Sequence, residues 1–389
     1  LVGSYGDSIE SVAETEDGGI VAVGSFASST ITVGDYTLTN NKYGYADGMI
    51  IKYNSNGEVE WAKSIGGSND DYINSVAETE DGGIIAGGYF SSSITVGEET
   101  LTSKGSSDGL IIKYSRNGEV EWAKSIGGSN YDYITSVTDT EDGGIIVGGY
   151  FRSSSITVGE ETLTSKGDYD GLIIKYSQNG EVEWAKSIGG SSGDYINSVT
   201  ETEDGGLIAG GYFGSSSIIV GDYTLINNNN NGYTDGMIIK YNSNGEVEWA
   251  NSIGGSDDDR ITSVTETEDG GYVAIGSFKS SNIIVGGFTI SGESNYGDGM
   301  IIKYNSNGEV EAAKSIAGNY YESLKCVTAT IDSGYVIAGN FSSDSIKIGE
   351  VILTNTKSGP YGNYTDALII KQKQSYGVKA ETELEVKNN

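Results

Sequence analysis

Acidic side chains recur at one fixed position in the chain, ten residues before each of six Asp-Gly-Gly or Asp-Ser-Gly turns. The chain has no histidine and a single cysteine, so a metal site here would have oxygen ligands only, and such ligands favour calcium over zinc or copper. If the fold gathers the six carboxylates around one channel mouth, the pattern predicts a calcium site. The alternative is that each acid accepts backbone N–H groups in its own loop and orients the turn. The six acids are Asp7, Asp71, Asp132, Asp194, Asp259 and Glu322.

A second set of aspartates opens the third predicted strand of every repeat: Asp47, Asp108, Asp170, Asp235, Asp298 and Asp366. Paired carboxylates can hydrolyse glycosides, but the two must be made unequal by their surroundings, and six equivalent positions argue against that. We interpret these residues as caps of the strand start. The absence of histidine excludes Ser–His and Cys–His nucleophile pairs. We therefore predict a protein that is not an enzyme.

Charge and hydropathy exclude further classes of function. There are 55 acidic and 23 basic side chains, a net charge of -32, which repels nucleic acids and anionic membranes. No apolar run approaches the roughly 18 residues of a membrane-spanning helix. One cysteine permits no internal disulfide. Cys326 replaces a serine that stands at this position in the other repeats, and we expect an inert thiol at a packed position.

Tandem repetition dominates the sequence. The string Ile-Ile-Lys-Tyr recurs five times, with a sixth variant ending at Gln372, and successive Asp-Gly-Gly positions lie 64, 61, 62, 65 and 63 residues apart. Six units of about 60 residues therefore fill nearly the whole chain. Their expected bounds within a single domain of 1–389 are about 1–66, 67–127, 128–189, 190–254, 255–317 and 318–389.

One unit, residues 72–127, is predicted to consist of strands alone. Its strands cover 73–79, 84–90, 108–114 and 119–126, and an insert over 91–105 has the alternation of a small hairpin. Arg116-Asn117-Gly118 predicts a three-residue hairpin loop with glycine in the left-handed region. Four strands per unit, repeated six times, predict an all-β chain: a six-bladed β-propeller with a hairpin insert between the second and third strands of each blade.

The three-residue loop also predicts a register in the first unit. It places Lys52 opposite Glu60, as a weak ion pair on the face of the hairpin that is not apolar, and Ile51 opposite Trp61, with Tyr53 facing Val59. A tryptophan at this repeat position could stack on a sugar, but packing between neighbouring sheets is the interpretation we prefer. The position holds Trp61, Trp122, Trp184 and Trp249, and Ala312 in the fifth unit.

The repeat resembles a known family. The strings Trp-Ala-Lys-Ser-Ile-Gly-Gly, Asp-Tyr-Ile-Asn-Ser-Val and Asp-Gly-Gly-Ile-Ile-Ala-Gly-Gly-Tyr are similar to the propeller repeats of bacterial cell-surface and secreted proteins, called SBBP-type repeats, which are distantly similar to NHL blades. The resemblance covers residues 1 to about 372. It implies an extracellular or cell-surface location and an interaction role, with no common activity or site to transfer. The family usually has seven blades, and the last predicted strand, 378–386, lacks the Glu-Val-Glu-Trp pattern. Closure with six blades and a missing preceding unit both remain open.

The inserts vary most between units, and we expect them to project from the same face as the acidic set. Tyrosine, asparagine, serine and glycine suit adaptable recognition surfaces. The leading hypothesis is a secreted or surface-displayed, non-enzymatic binding module for a glycan or a protein. The alternatives are a self-assembling subunit of a surface layer, filament or extracellular matrix, and, third, a carbohydrate-active enzyme. The candidate ligand-binding residues are Tyr36, Tyr43, Tyr45, Tyr223, Tyr233, Phe288, Tyr296, Tyr361 and Tyr364.

Overall fold

The chain folds into β-sheets connected by turns. The computed structural model describes residues 5–229, 232–332, 334–355 and 365–373, and within these ranges it contains strands and turns but no helix. No helix in the described ranges could span a membrane. The chain divides into two compact units, 1–189 and 190–389, each holding three of the six repeats.

Each repeat forms one antiparallel sheet in the order first, second, third, fourth strand, which is a propeller blade. The all-β fold and the six blades of a β-propeller confirm the prediction from sequence. The first strands are Asp7–Glu14, Tyr72–Glu78, Asp132–Asp139, Asp194–Glu201, Asp259–Glu266 and Glu322–Thr330. The second strands are Ile20–Phe26, Ile84–Phe90, Ile145–Phe151, Leu207–Phe213, Tyr272–Phe278 and Gly334–Phe341.

The third and fourth strands form the hairpin at the other side of each sheet. The third strands are Asp47–Tyr53, Asp108–Tyr114, Asp170–Tyr176, Asp235–Tyr241, Asp298–Tyr304 and Asp366–Gln372. The fourth strands are Val59–Ile65, Val120–Ile126, Val182–Ile188, Val247–Ile253 and Val310–Ile316. The sixth blade has three strands within the described residues, and the predicted strand 378–386 lies outside them.

The hairpin loop is the one the sequence predicts, but a bulge shifts the register beyond it. Ser115 and Glu119 are hydrogen-bonded around the three-residue loop, and Gly118 has φ of 79°. In the first blade Tyr53 does pair with Val59, as predicted. The predicted pairs of Lys52 with Glu60 and Ile51 with Trp61 are wrong, because a β-bulge between Lys52 and Tyr53 inserts one residue into the fourth strand.

Because of that bulge, the lysine lies opposite the tryptophan, and the lysine of the predicted ion pair is buried while Glu60 stays 43% exposed. Lys52 pairs with Trp61, and Ile51 with Ala62. Its ammonium remains 3.5 Å from the Glu60 carboxylate, yet the lysine side chain is only 2% exposed. The side chain is therefore part of the sheet interior.

The tryptophans fill the space between neighbouring blades, which confirms the packing interpretation. Trp61 is 8% exposed, its ring lies 5.8 Å from that of Tyr114 in the second blade, and its Nε1 donates to the Arg116 carbonyl. Gly118 lies directly against the indole, where any Cβ would come within 2.7 Å of the ring. This glycine is needed both for its positive φ and for the close approach of the tryptophan.

Cys326 departs from the expected packing. In the second blade the equivalent Ser75 accepts a hydrogen bond from the Val137 amide of the next blade. Cys326 is instead exposed, so the prediction of a packed position is wrong. Desolvation raises the pKa of its thiol, which keeps the thiolate fraction low at neutral pH.

The six predicted insert hairpins are present, each a two-stranded sheet joined by a two-residue turn. Their strand pairs are Thr30–Val33 with Tyr36–Thr39, Ser93–Val96 with Glu99–Thr102, Ser155–Val158 with Glu161–Thr164, Ser217–Val220 with Tyr223–Ile226, Asn282–Val285 with Phe288–Ser291, and Ser345–Ile348 with Val351–Thr354.

The hairpins do not project from the face of the blade as expected. In the first five blades the hairpin lies back along the fourth strand of its own blade, and the Tyr36 hydroxyl donates to the Glu60 carbonyl there. Ile94 and Val96 are buried in one cluster with Trp61 of the preceding blade. The alternating apolar residues of the hairpin need a partner surface, and the edge strands of two neighbouring blades provide it. The inserts therefore join adjacent blades.

Candidate functional site

Both aspartate sets lie at one end of each blade. In the first blade Asp7 pairs with Phe26, and Phe26 pairs with Asp47, so the first strand begins, the second ends and the third begins at the same edge. We call this edge the aspartate end. The segments that enter and leave each insert hairpin also lie there, and they carry the exposed aromatic residues considered below.

Each acid of the first set accepts hydrogen bonds within its own blade and loop. Asp132 accepts from the amides of Arg152, Ser153 and Gly128 and from the Ser153 hydroxyl, at 2.6–3.1 Å. Equivalent acceptors are Asp7, Asp71, Asp194, Asp259 and Glu322. This geometry is that of the loop-orienting alternative. No cluster of three or more His, Cys, Asp or Glu residues suited to a metal occurs in the described residues, and calcium binding stays a prediction.

The second set caps the start of the third strand. Asp47 is fully buried and accepts from the Asn41 amide and side chain at 2.8 Å, and Asp235 does the same with Asn228. In the second blade the Lys104 amide takes this role toward Asp108. One oxygen of Asp47 and one of Asp235 have no hydrogen-bond partner.

The two sets meet between neighbouring blades as buried carboxyl pairs. Desolvation, together with the charge of Asp47 in the preceding blade, raises the pKa of Asp71 to about 7 against two opposing amide hydrogen bonds. Desolvation raises the pKa of Asp259 to about 6, and Asp235 adds to it. Burial also raises the pKa of Glu322, with Asp298 as its charged and hydrogen-bonding neighbour. These carboxyl groups hold protons at a pH at which ordinary carboxylates are ionised.

Buried lysines at the opposite end of the blades were not anticipated from sequence. Lys113 is 2% exposed, and its ammonium lies 2.6 Å from Asp81 of the Asp-Gly-Gly turn and 3.4 Å from Glu121. Hydrogen bonds from Lys113, Thr79 and Gly83 outweigh desolvation and lower the pKa of Asp81 to about 2. The fixed spacing between Ile-Ile-Lys-Tyr and Asp-Gly-Gly was the available signal. The network fixes the turn and is structural.

The predicted insert aromatics divide into two groups. Tyr36, Tyr223 and Phe288 open the second insert strand, and the Tyr36 and Tyr223 hydroxyls are bound to carbonyls of the fourth strand. Tyr43, Tyr45, Tyr233 and Tyr296 lie in the loops that follow the hairpins, at the aspartate end. Tyr43 is 72% exposed and meets Tyr5 edge-on at 5.7 Å, with the two hydroxyls 2.7 Å apart. Tyr45, Tyr233 and Tyr296 are also exposed, whereas Tyr361 and Tyr364 lie outside the described residues.

The loops that carry these tyrosines are held by amide side chains. Asn40 donates to the carbonyls of Phe26 and Tyr45, and Asn227 donates in the same way to Phe213 and Tyr233. The asparagines thereby replace missing backbone partners in the loop. The Tyr45 ring therefore stands on a loop that side-chain hydrogen bonds hold in place, which lowers the entropy cost of binding.

A continuous row of tyrosines, which was not predicted from the sequence, lies at the aspartate end of the second and third blades. Ring centroids are 5.1 Å apart for Tyr72 and Tyr89, 4.5 Å for Tyr89 and Tyr133, 5.2 Å for Tyr133 and Tyr150, and 5.6 Å for Tyr150 and Tyr169. All five are partly exposed, and we call them the tyrosine row. The signal was a tyrosine directly after the acid in three units and a Gly-Gly-Tyr-Phe string in the same three.

The hydroxyls of Tyr72 and Tyr133 remain protonated donors at neutral pH. Desolvation raises the pKa of Tyr133 to about 12 and also raises that of Tyr72. In the second compact unit, Tyr195 and Tyr212 repeat the stacked pair at 4.7 Å, and the Arg260 guanidinium lies 4.6 Å from the Tyr212 ring. Flat rings with hydroxyl donors and neighbouring acids can stack on sugars or on aromatic and cationic side chains of a protein.

The antiparallel blades define a β-propeller protein. No family model matches the chain. It is 24% identical, over an alignment 378 residues long that covers 76% of this chain, to an uncharacterised WD repeat-containing protein of Acanthamoeba polyphaga mimivirus, and it spans about a quarter (26%) of that protein. A protein of unknown function from Dyadobacter fermentans aligns with a TM-score of 0.45 and 11% identity over 95% of both chains. The extracellular domain of BT4673 from B. thetaiotaomicron aligns with a TM-score of 0.28 and 13% identity, over 96% of this chain and 58% of that one.

Proposed function

We propose that the protein is an extracellular or surface-displayed, non-enzymatic binding module that recognises a glycan or a protein at the aspartate ends of its blades. The observation that carries the proposal is the tyrosine row, five partly exposed aromatic rings in continuous contact. The exposed Tyr43 and Tyr45 supply further aromatic surface in the same compact unit.

The chemistry of the row favours binding over catalysis. The first-set acids near it recur from blade to blade, and their oxygens already accept from amide and hydroxyl donors, as at Asp132. The partly exposed rings of Tyr72, Tyr89 and Tyr133 can stack on a ligand. Tyr131 extends the row, stacked at 6.3 Å from Tyr133 and 37% exposed.

A glycan array probed with the labelled full chain, in calcium and again in a chelator, is the first test. We expect a specific class of glycan to bind, and replacing Tyr89 and Tyr133 by alanine to weaken that binding at least tenfold, because each stacked ring contributes on the order of 1 kcal/mol. Tyr36→Phe, which alters only a hydroxyl on the edge strand, should leave binding unchanged.

The outcomes separate the parts of the proposal. Unchanged glycan binding after the double substitution would show that the tyrosine row is not the site. A blank array in both buffers would remove the glycan and leave protein partners, to be sought with the same variants. Loss of a hit in chelator would turn the first acidic set from loop caps into a metal site.

Self-assembly is a second candidate function, favoured by one exposed face. Ile9, Val12 and Ile20 of the first blade are 42%, 63% and 49% exposed and border a cleft of about 740 Å³. At the same positions of the second blade, Ile73, Val76 and Ile84 are 0–6% exposed beneath the preceding blade. An apolar blade face of this kind suits a second copy of the chain.

Sedimentation velocity across a wide concentration range tests this candidate. If the first blade's face joins copies, the wild-type chain should associate, and the Val12→Ser, Ile20→Ser double variant should sediment as a monomer. A control with Ile219→Ser alters an exposed isoleucine of an insert hairpin and should not affect association. A wild-type monomer at high concentration would count against assembly.

A further inference from the structure

The interface between the fifth and sixth blades lacks the aromatic pair that three other described interfaces contain. Trp61 meets Tyr114 at 5.8 Å, Trp122 meets Tyr176 at 6.4 Å, and Trp249 meets Tyr304 at 6.0 Å, each pair crossing from one blade to the next. Between the fifth and sixth blades the same two repeat positions hold Ala312 and Gln372. Ala312 and Gln372 each replace an aromatic ring at this same interface.

A cavity of about 250 Å³ lies there. Ala312, Ile301 and Tyr335 form its apolar wall, and Gln372 lies at the position of the missing tyrosine. Apolar cavities of about 150 Å³ hold a benzene molecule, so this one has room for a fused bicyclic ring. Tyr335 occupies the repeat position of Tyr272, which contacts the Trp249 indole at 5.7 Å in the preceding interface.

Charged side chains at the cavity favour an anionic ligand. Lys303, Lys314 and Lys373 line it with Asp269 and Glu311, an excess of one positive charge in a chain whose net charge is -32. Lys303 already binds Asp269 at 2.7 Å. Lys314 is the repeat equivalent of Lys124, whose ammonium lies 5.4 Å from the Trp122 ring centroid. It is therefore placed to lie over an aromatic ring in the cavity.

We propose that this cavity is a second binding site, separate from the tyrosine row, for a small aromatic carboxylate of indole size. The ring takes the place that a tryptophan takes in the other blades, between Ala312 and Tyr335. Its carboxylate is directed toward the lysines, and Lys314 provides the cation–π contact.

Fluorine NMR with 5-fluoroindole-3-acetate as the probe tests the site on the full chain. We expect a saturable shift with a dissociation constant that is roughly millimolar, the affinity usual for a ligand of this size. Ala312→Trp should abolish the shift and raise the thermal midpoint, since it restores the side chain present in four other blades. Lys314→Gln should weaken the carboxylate probe about three- to tenfold and neutral 5-fluoroindole less.

Lys63→Gln is the matched control, because Lys63 holds the same repeat position beside the occupied Trp61 and its loss should leave the titration unchanged. If the tryptophan variant does not fold, Ala312→Phe and nuclear Overhauser contacts from the probe to the Tyr335 ring replace it. A titration without saturation, or an undiminished shift in the variant with a filled cavity, would overturn the proposal. Either result leaves the tyrosine row untouched, since that row lies in the other compact unit.

Discussion

Asp204→Asn will destabilise the protein by about 2–3 kcal/mol, whereas Lys240→Met will cost about 1 kcal/mol or less. Lys240 is 1% exposed, and its ammonium is held by Asp204 at 2.9 Å and Glu248 at 3.1 Å. Removing the aspartate charge leaves a buried cation with one half-exposed partner, and breaking a buried pair in this way usually costs about 3–5 kcal/mol. The lower figure applies here because Asp204 is 55% exposed and Glu248 remains.

Lys240→Met removes the buried charge itself, and the carboxylates of Asp204 and Glu248, which remain, can be solvated. Chemical denaturation measures both variants. Asparagine at position 204 can still accept from the Thr202 hydroxyl and the Gly206 amide, so the turn is kept and only the charge changes. Asp222→Asn, in an exposed insert turn of the same blade, is the control and should shift stability by less than about 0.5 kcal/mol. Equal costs for Asp204→Asn and Lys240→Met would contradict this account of the network.

The fold was predictable because the same turn and strand patterns occur in each of the six repeats. The Arg116-Asn117-Gly118 loop, the apolar second strands and the insert hairpins all followed from turn chemistry and alternation. The β-bulge at Lys52 was not predictable from sequence. A single extra residue in the fourth strand leaves the residue pattern on one side of the bulge unchanged, so the pattern gives no sign of it. One unseen residue moved the lysine from the surface into the sheet.

The candidate site was harder to predict, because side-chain direction depends on packing between blades. The alternation of Ile31, Val33 and Leu38 already indicated that one face of an insert hairpin needs cover. The prediction that the inserts project from the blade did not account for the need to cover this apolar face. The tyrosine row was missed since Tyr72 and Tyr89 belong to different strands and meet Tyr133 only through the neighbouring blade. Contacts of this kind exist only in the folded chain.

The protein should be less stable at pH 9 than at pH 5. The folded-state pKa values of Asp71, Asp259 and Glu322 are raised, so the folded chain holds protons that the unfolded chain has released. Their contribution is complete below the unfolded pKa, near 4, and is lost as the pH rises through the folded values of about 6 to 8. For Asp71 the loss is on the order of 2–4 kcal/mol.

The aspartates of the Asp-Gly-Gly turns set the acid limit. Lys113, Lys175 and Lys303 lower the pKa values of Asp81, Asp142 and Asp269 to about 2. That stability is present above the unfolded pKa and is lost as the pH falls through about 2. The two effects together put maximum stability near pH 4–5. The chain contains no histidine, so no imidazole titrates between the two limits.

Thermal unfolding from pH 4 to 9 in about 0.5 M salt measures the alkaline loss, since salt screens the self-repulsion of the surface but not a buried pair. Glu322→Gln should reduce the loss, because an amide replaces the protonated acid beside Asp298 without a charge to release. Exposed Glu99→Gln should leave the profile unchanged. If calcium binds the paired carboxylates, it will restore the midpoint at pH 9 in the wild type and restore less of it in Glu322→Gln. A thermal midpoint that does not change from pH 5 to 9 would mean that these carboxyl groups are ionised in the folded protein. Water would then have to reach the carboxyl groups at the aspartate ends.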